Sequence, residues 1–387
     1  MVINYEIRRI LEKFQQTSSF ISILELKISD VSKELKNETS LKFNFDFRSQ
    51  DNDAQNMTIL SSRIKMDAFD YFPNLKTLQF NRENDYLFLD DNVFSRLNKL
   101  VTLELKFRIG QIREKMFVGL SNLQKLTLQG CNLNSIEEGS FRDLVKLETL
   151  DLSRNSNLSE ITSKMFDGLR NLKRLLLNDC KINSIKSDTF KTFSELEKLN
   201  LSSNQIENID SNTFKGLNQL IFLDLSGCQI KSIDDDAFSH MENLKYLYLS
   251  NNGSLSSLNN STFKSLKNLS TLHLHKTGIT KATLERLPFE NLNELNELVL
   301  KTNDLVKIES GLLKDSKKLK TLCLRCTNLN EIEIEFFENL TELNRIDLAG
   351  NKLNQDQLKI IENKLKNGNM RKRNIQFLIN EEEKCKI

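Results

Sequence analysis

The sequence predicts an α/β solenoid, a curved horseshoe with a parallel β-sheet on its concave face and loops or short helical turns on its convex face. Two observations carry this. LxxLxL, or a close variant, recurs from Leu75 at Leu100, Leu123, Leu147, Leu172, Leu196, Leu220, Leu244, Leu269, Leu295, Leu319 and Leu343, in steps of 23 to 26 residues. Six residues before each stands a phenylalanine, from Phe69 and Phe94 through Phe289 to Phe337, with Leu313 as the one departure. A fixed period of this length is the mark of a stacked-repeat architecture.

Each part of the repeat has a physical role. In Leu147-Glu-Thr-Leu150-Asp-Leu152, Leu150 and Leu152 alternate with outward residues, the period of a strand. A strand this short needs its neighbours, so the strands stack as a parallel sheet. Twelve of them at ~4.8 Å give an edge of roughly 55 Å. The second half of the repeat, as in Asn132-Leu-Asn-Ser-Ile136, returns the chain across the outer face, where each phenylalanine stacks on the ring of the next repeat.

These repeats resemble the "typical" leucine-rich repeats of Toll-type receptor ectodomains, Slit-like proteins and related animal surface proteins. Phe117-Val-Gly-Leu120, Phe166-Asp-Gly-Leu169 and Phe214-Lys-Gly-Leu217 carry the resemblance, each followed by a strand, and it covers roughly residues 59 to 366. It implies binding to a protein or other macromolecular ligand, without fixing which.

Three residues after the last strand leucine, a side chain turns inward and must satisfy backbone groups at the bend. Asn155, Asn204, Asn252, Asn303 and Asn351 stand there, alternating with Cys131, Cys180, Cys228, Thr277 and Thr327. The alternation suggests duplication of a two-repeat unit. The three cysteines lie two repeats apart, roughly 9–10 Å by strand spacing, too far for a disulfide. They are expected buried, reduced and inert. Cys323-Leu-Arg-Cys326 lacks the helix N-terminus of a redox pair and a second pair for zinc. Cys385, in a charged tail, reads as a free thiol.

The array is expected over residues 57–353, with an irregular N-terminal cap over 1–56 and a C-terminal cap and charged tail over 354–387. Tyr5 to Phe14 reads as an amphipathic helix, and Leu41 to Phe47 alternates as a strand covering the first repeat. Asp356 to Lys366 reads as a helix presenting Leu358, Ile361 and Leu365 to the last core layer, and Ile375 to Ile379 as a closing strand. In the repeats from Leu75 and Leu100 the inward-turning position is blurred.

Composition narrows the function. Fifty-five basic and 53 acidic residues nearly cancel and show no basic stripe for nucleic acid, and Arg371-Lys-Arg373 reads as a polar chain end. No apolar run of membrane-spanning length occurs. Walker, kinase, nucleophile-elbow and HExxH signatures are absent, so an enzyme is not expected, nor a cofactor or metal.

Localisation is pulled two ways. The repeat class points to the cell surface or secretion, whereas the charged first residues and the lack of terminal cysteine caps would suit the cytoplasm if Met1 is the true start. Sequons at nine asparagines, among them Asn157, Asn252 and Asn268, do not decide it, and Asn252 is expected to be buried.

The expected ligand-binding residues are Ile221, Phe222, Tyr246, Tyr248, His273 and His275, which face outward on the strands from Leu220, Leu244 and Leu269. Interface hot spots concentrate at such aromatic clusters. His273 and His275 also form an HxH, but no third metal ligand is evident. The expected function is non-enzymatic recognition of a protein ligand on the concave face, receptor-like at the cell surface or secreted. The alternative is an intracellular scaffold or adaptor on the same solenoid.

Overall fold

A computed structural model describes residues 40–44, 62–64, 66, 68–69, 72–253, 255, 258, 261–287, 289–367 and 376–378. The chain forms two compact units, residues 1–149 with 165–169, and residues 150–164 with 170–387. The expectations for Tyr5–Phe14, residues 45–47, Arg371–Arg373 and Cys385 lie outside the described residues.

Unit one contains β1 (Ser40–Asn44), β2 (Ser62–Ile64), β3 (Thr77–Leu89), β4 (Thr102–Arg108) and β5 (Lys125–Thr127). β1 pairs in parallel with β3 from Ser40↔Thr77 to Asn44↔Asn81, as a strand covering the first repeat should. β4 shows the two-residue period directly, with Leu103, Leu105 and Phe107 buried between half-exposed neighbours. The blurred frame after Leu75 and Leu100 has a physical cause. The chain there does not turn inward after the third apolar residue but continues as strand, and Phe80 packs edge-on against Phe107 at 5.9 Å.

β6 (Thr149–Asp151) is followed in unit two by β7 (Arg174–Leu176), β8 (Lys198–Asn200), β9 (Phe222–Asp224), β10 (Tyr246–Tyr248), β11 (Thr271–His273), β12 (Glu297–Val299), β13 (Thr321–Cys323), β14 (Arg345–Asp347) and β15 (Gln376–Leu378). From β7 onward each strand pairs with the next in parallel. Their central residues, Leu175 through Ile346, are essentially inaccessible. On the outer side, two-residue strands pair across repeats, as Asn208–Ile209 does with Ser232–Ile233. This is the parallel β-solenoid that the 24-residue rhythm predicts.

The phenylalanine column forms as expected. In unit one, Phe69, Phe94, Phe117 and Phe141 stack in sequence with centroids 5.7–6.4 Å apart. In unit two, Phe214 lies 6.2 Å from both Phe190 and Phe238. The Phe-x-Gly-Leu glycine is a packing requirement. Gly216 has φ +97°, and a Cβ there would lie 2.8 Å from the Lys191 Cα. Gly168 repeats this against Arg142.

The inward ladder is built as expected, and its alternation has a cause. Asn252 Oδ1 accepts the N–H groups of Cys228 and Ile230, both at 3.0 Å, while its Nδ2 donates to the carbonyls of Leu225 and Leu249. Asn303 does the same for Thr277, Ile279, Leu274 and Leu300, and Asn351 for Thr327, Leu329, Leu324 and Leu348. One asparagine thus serves its own repeat and the one before. The intervening position needs only a single donor, which a thiol or hydroxyl supplies. Cys228 Sγ donates to the Leu201 carbonyl at 3.0 Å, and Thr277 Oγ1 to the Leu274 carbonyl at 2.7 Å.

Cys131, Cys180 and Cys228 are free and buried. Cys323 is also free, whereas Cys326 is disulfide-bonded, so the CxxC is not closed on itself. At the far end α2 (Gln355–Asn367) buries Leu358, Ile361 and Leu365, and Asn354 Oδ1 caps it by accepting the Gln357 N–H. A short α1 (Lys281–Leu284), capped by Thr280, occupies the long loop before Phe289.

Candidate functional site

Outward strand residues in unit two fall into columns set by register. One column runs Lys198, Phe222, Tyr246, Thr271, Glu297, and its neighbour runs Asn200, Asp224, Tyr248, His273, Val299. Because parallel strands lie ~4.8 Å apart, same-column side chains touch.

The rings form a continuous cluster. Phe222 lies 6.4 Å from Tyr246 and 5.3 Å from Tyr248, and Tyr248 meets His273 edge-on at 4.7 Å. Lys198 Nζ sits 4.4 Å from the centre of the Phe222 ring, a cation–π contact. Ile221 and His275 are half-exposed beside the cluster, and Tyr246 is the most open ring at 39 %. The structure therefore brings Phe222, Tyr246, Tyr248 and His273 into direct contact, with Ile221 and His275 flanking them.

Electrostatics tune the cluster. Burial, with Glu297 and Asp224 nearby, pushes the Tyr248 phenol up, so it stays protonated as a donor. His273 Nε2 lies 3.2 Å from Glu297 Oε1 on the next strand. Burial chiefly, then the charges of His273, Lys301 and Lys276, hold His275 below the ordinary imidazole value. Among the described residues, no group of three or more His, Cys, Asp or Glu is placed to hold a metal ion.

Sequence reasoning missed a second aromatic pair, in unit one. The lengthened β3 presents Tyr86 and Phe88 to solvent at 44 % and 50 %, with the Arg108 and Arg113 guanidinium groups 5.2 and 4.8 Å from their rings. Only the unforeseen extension of the strand puts these four side chains on one face.

Comparison with known proteins agrees with this architecture. The leucine rich repeat family profile matches residues 121–182, 170–230 and 225–279, and the BspA type leucine rich repeat region profile matches residues 279–378. Together they run from 121 to 378, more than half of the 387 residues.

The chain belongs to the leucine-rich repeat family.

No curated protein matches this leucine-rich repeat chain in sequence. Among solved structures it resembles a chain of the Toll–Spatzle complex of Drosophila, with TM-score 0.65 and 20 % identity over 89 % of this chain and 47 % of that one. It also matches a chain of the TLR13–ssRNA13 complex, with TM-score 0.44 and 22 % identity over 91 % of this chain and 63 % of that one. This leucine-rich repeat chain thus spans about half the length of the first and under two thirds of the second. The first likeness is one of fold. Among the described residues, no helix is long and apolar enough to cross a membrane.

Proposed function

We propose that this leucine-rich repeat chain is a non-enzymatic, receptor-like recognition module that binds a protein ligand on the outward strand face, centred on Phe222, Tyr246, Tyr248 and His273. The observation that carries the reading is the unbroken ring cluster with Lys198 over one end. Rigid aromatic side chains offer large contact area at low entropic cost, and they dominate measured hot spots.

The disulfide at Cys326 supports work outside the reducing cytosol, because such bonds persist in oxidising compartments. A protein ligand also accords with the Toll–Spatzle complex, whose chain shares the fold.

The test is a screen of the purified chain against a displayed library of extracellular proteins, repeated with Tyr246→Ala and Tyr248→Ala. The expected outcome is a binder weakened by both substitutions. Binders indifferent to both would make the cluster ordinary surface. Isolation of the native protein from the cytosol with Cys326 reduced would point instead to an intracellular scaffold.

A further inference from the structure

The repeat between Leu295 and Leu319 is stripped of side chains on its outer side. Leu313 stands where the column has Phe214 and Phe238, and Ser316 stands where the Phe-x-Gly-Leu segment has Leu217. Ser316 is fully buried, yet its Oγ has no hydrogen-bond partner. Gly311 takes the position held by Asn212, Asp236 and Glu335 in other repeats, and a Cβ there would meet open space. The repeat before it departs the other way. Its step of 26 residues, from Leu269 to Leu295, is the longest, and it carries α1 (Lys281–Leu284) on its outer side.

Between the enlarged repeat and the stripped one lies a cavity of about 590 Å³. Leu284, Leu287, Phe289 and Leu312 give it an apolar lining. Small-molecule sites typically measure about 300–1,000 Å³ and join apolar walls to a few polar groups that fix orientation.

Six charged residues stand around this cavity, and four of them already have partners. Lys281 pairs with Glu285 at 3.6 Å, Glu290 with Lys314 at 3.1 Å, and Lys307 with Glu331 and Glu333 at 3.0 and 2.8 Å. Arg286 and Glu309 are left over. Neither has an ion-pair partner among the described residues, and they do not pair with each other. A ligand bearing a single charge would be attracted by one of these groups and repelled by the other. A ligand bearing both charges can satisfy the two at once.

We propose that this cavity is a second binding site, for a small ligand with an apolar body and one charge of each sign, as a short apolar peptide with free ends presents. The ligand's carboxylate meets Arg286, its ammonium group meets Glu309, and its side chains lie against the leucines and Phe289. The site is on the outer side of the array and does not depend on the recognition reading above.

The test is a ligand-observed NMR titration of the purified chain with leucyl-leucine. Saturable binding is expected, at least tenfold tighter than that of the N-acetylated or the amidated dipeptide. Arg286→Gln should bind leucyl-leucine no better than its amide, and Glu309→Gln should bind it no better than its N-acetylated form. Gly311→Phe puts a ring into the open space without a strained backbone, so it should abolish binding while far-ultraviolet circular dichroism stays that of the wild type. No saturable binding, equal binding of a dipeptide capped at both ends, or full binding to a folded Gly311→Phe chain would each overturn the site. Free leucine should bind more weakly, because one side chain leaves part of the cavity unfilled. Equal or tighter binding of leucine would overturn the peptide as occupant and assign a free amino acid.

Discussion

Asn252 and Cys228 lie one repeat apart, and the asparagine accepts the cysteine's backbone N–H at 3.0 Å while its amide nitrogen bonds the carbonyls of Leu225 and Leu249. This contact is the unit of cohesion between paired repeats in the ladder. Asn252→Leu should therefore destabilise the chain by about 3 kcal/mol, since several buried backbone groups lose their partner at once. Chemical denaturation would check it. A cost below about 1 kcal/mol would show that the repeats do not depend on the asparagine bridge. Full burial of Asn252 also predicts no glycan at its sequon, which intact glycopeptide mass spectrometry would read.

The ladder thiols should resist modification in the native state. Burial pushes the Cys228 thiol up to about 12 and Cys180 up to about 11, so almost no thiolate exists at neutral pH. Alkylation followed by peptide mapping should label both only after unfolding. Rapid native labelling of either would contradict the packing.

Phe214 stands between two stacked rings, so Phe214→Ala opens a cavity on the outer side and should cost about 3–5 kcal/mol. Gly216→Ala, two residues away, acts by a different route. It adds a Cβ where Lys191 backbone already sits and forces a left-handed conformation on alanine, and a loss of about 2 kcal/mol or more is expected. Urea titration of the two variants separates the effects, since a tolerated Gly216→Ala would show that the strand-ward turn can shift.

The His275 environment sets a pH dependence. Its folded value lies below the unfolded one, so the unfolded state binds more protons as pH falls. Its contribution is present in full above the unfolded imidazole value and is lost as pH drops through the folded value. Unfolding free energy measured between pH 7.5 and 5 should fall less steeply in His275→Gln than in the wild type. Identical slopes would remove His275 from the linkage.

Much of this was legible in the sequence because a repeat reports the same physics many times. The period set the strands, the phenylalanine column and the inward ladder, and each appears where the leucine spacing puts it. The helix over Gln355–Asn367 was readable from Leu358, Ile361 and Leu365 because a 3.6-residue pattern needs no tertiary partner to be recognised. The contacts among Phe222, Tyr246, Tyr248 and His273 followed from register alone, since the parallel pairing advances by one repeat without slip.

Other features were decided by tertiary structure. The lengthened β3 and β4, and the cation–π pairs at Tyr86 and Phe88, depend on neighbouring strands holding the chain extended where other repeats turn inward. That Cys326 is bonded and Cys323 free is decided in the folded chain and not by their spacing in sequence. The buried Ser250 hydroxyl without a hydrogen-bond partner is likewise invisible in one dimension, because burial and bonding are properties of the folded turn. The sequence by itself determined the repeat, its strand faces and its core, since these follow from local period and burial. Only the folded chain decided where the repeat is broken, because a missing hydrogen bond is a relation between side chains in space.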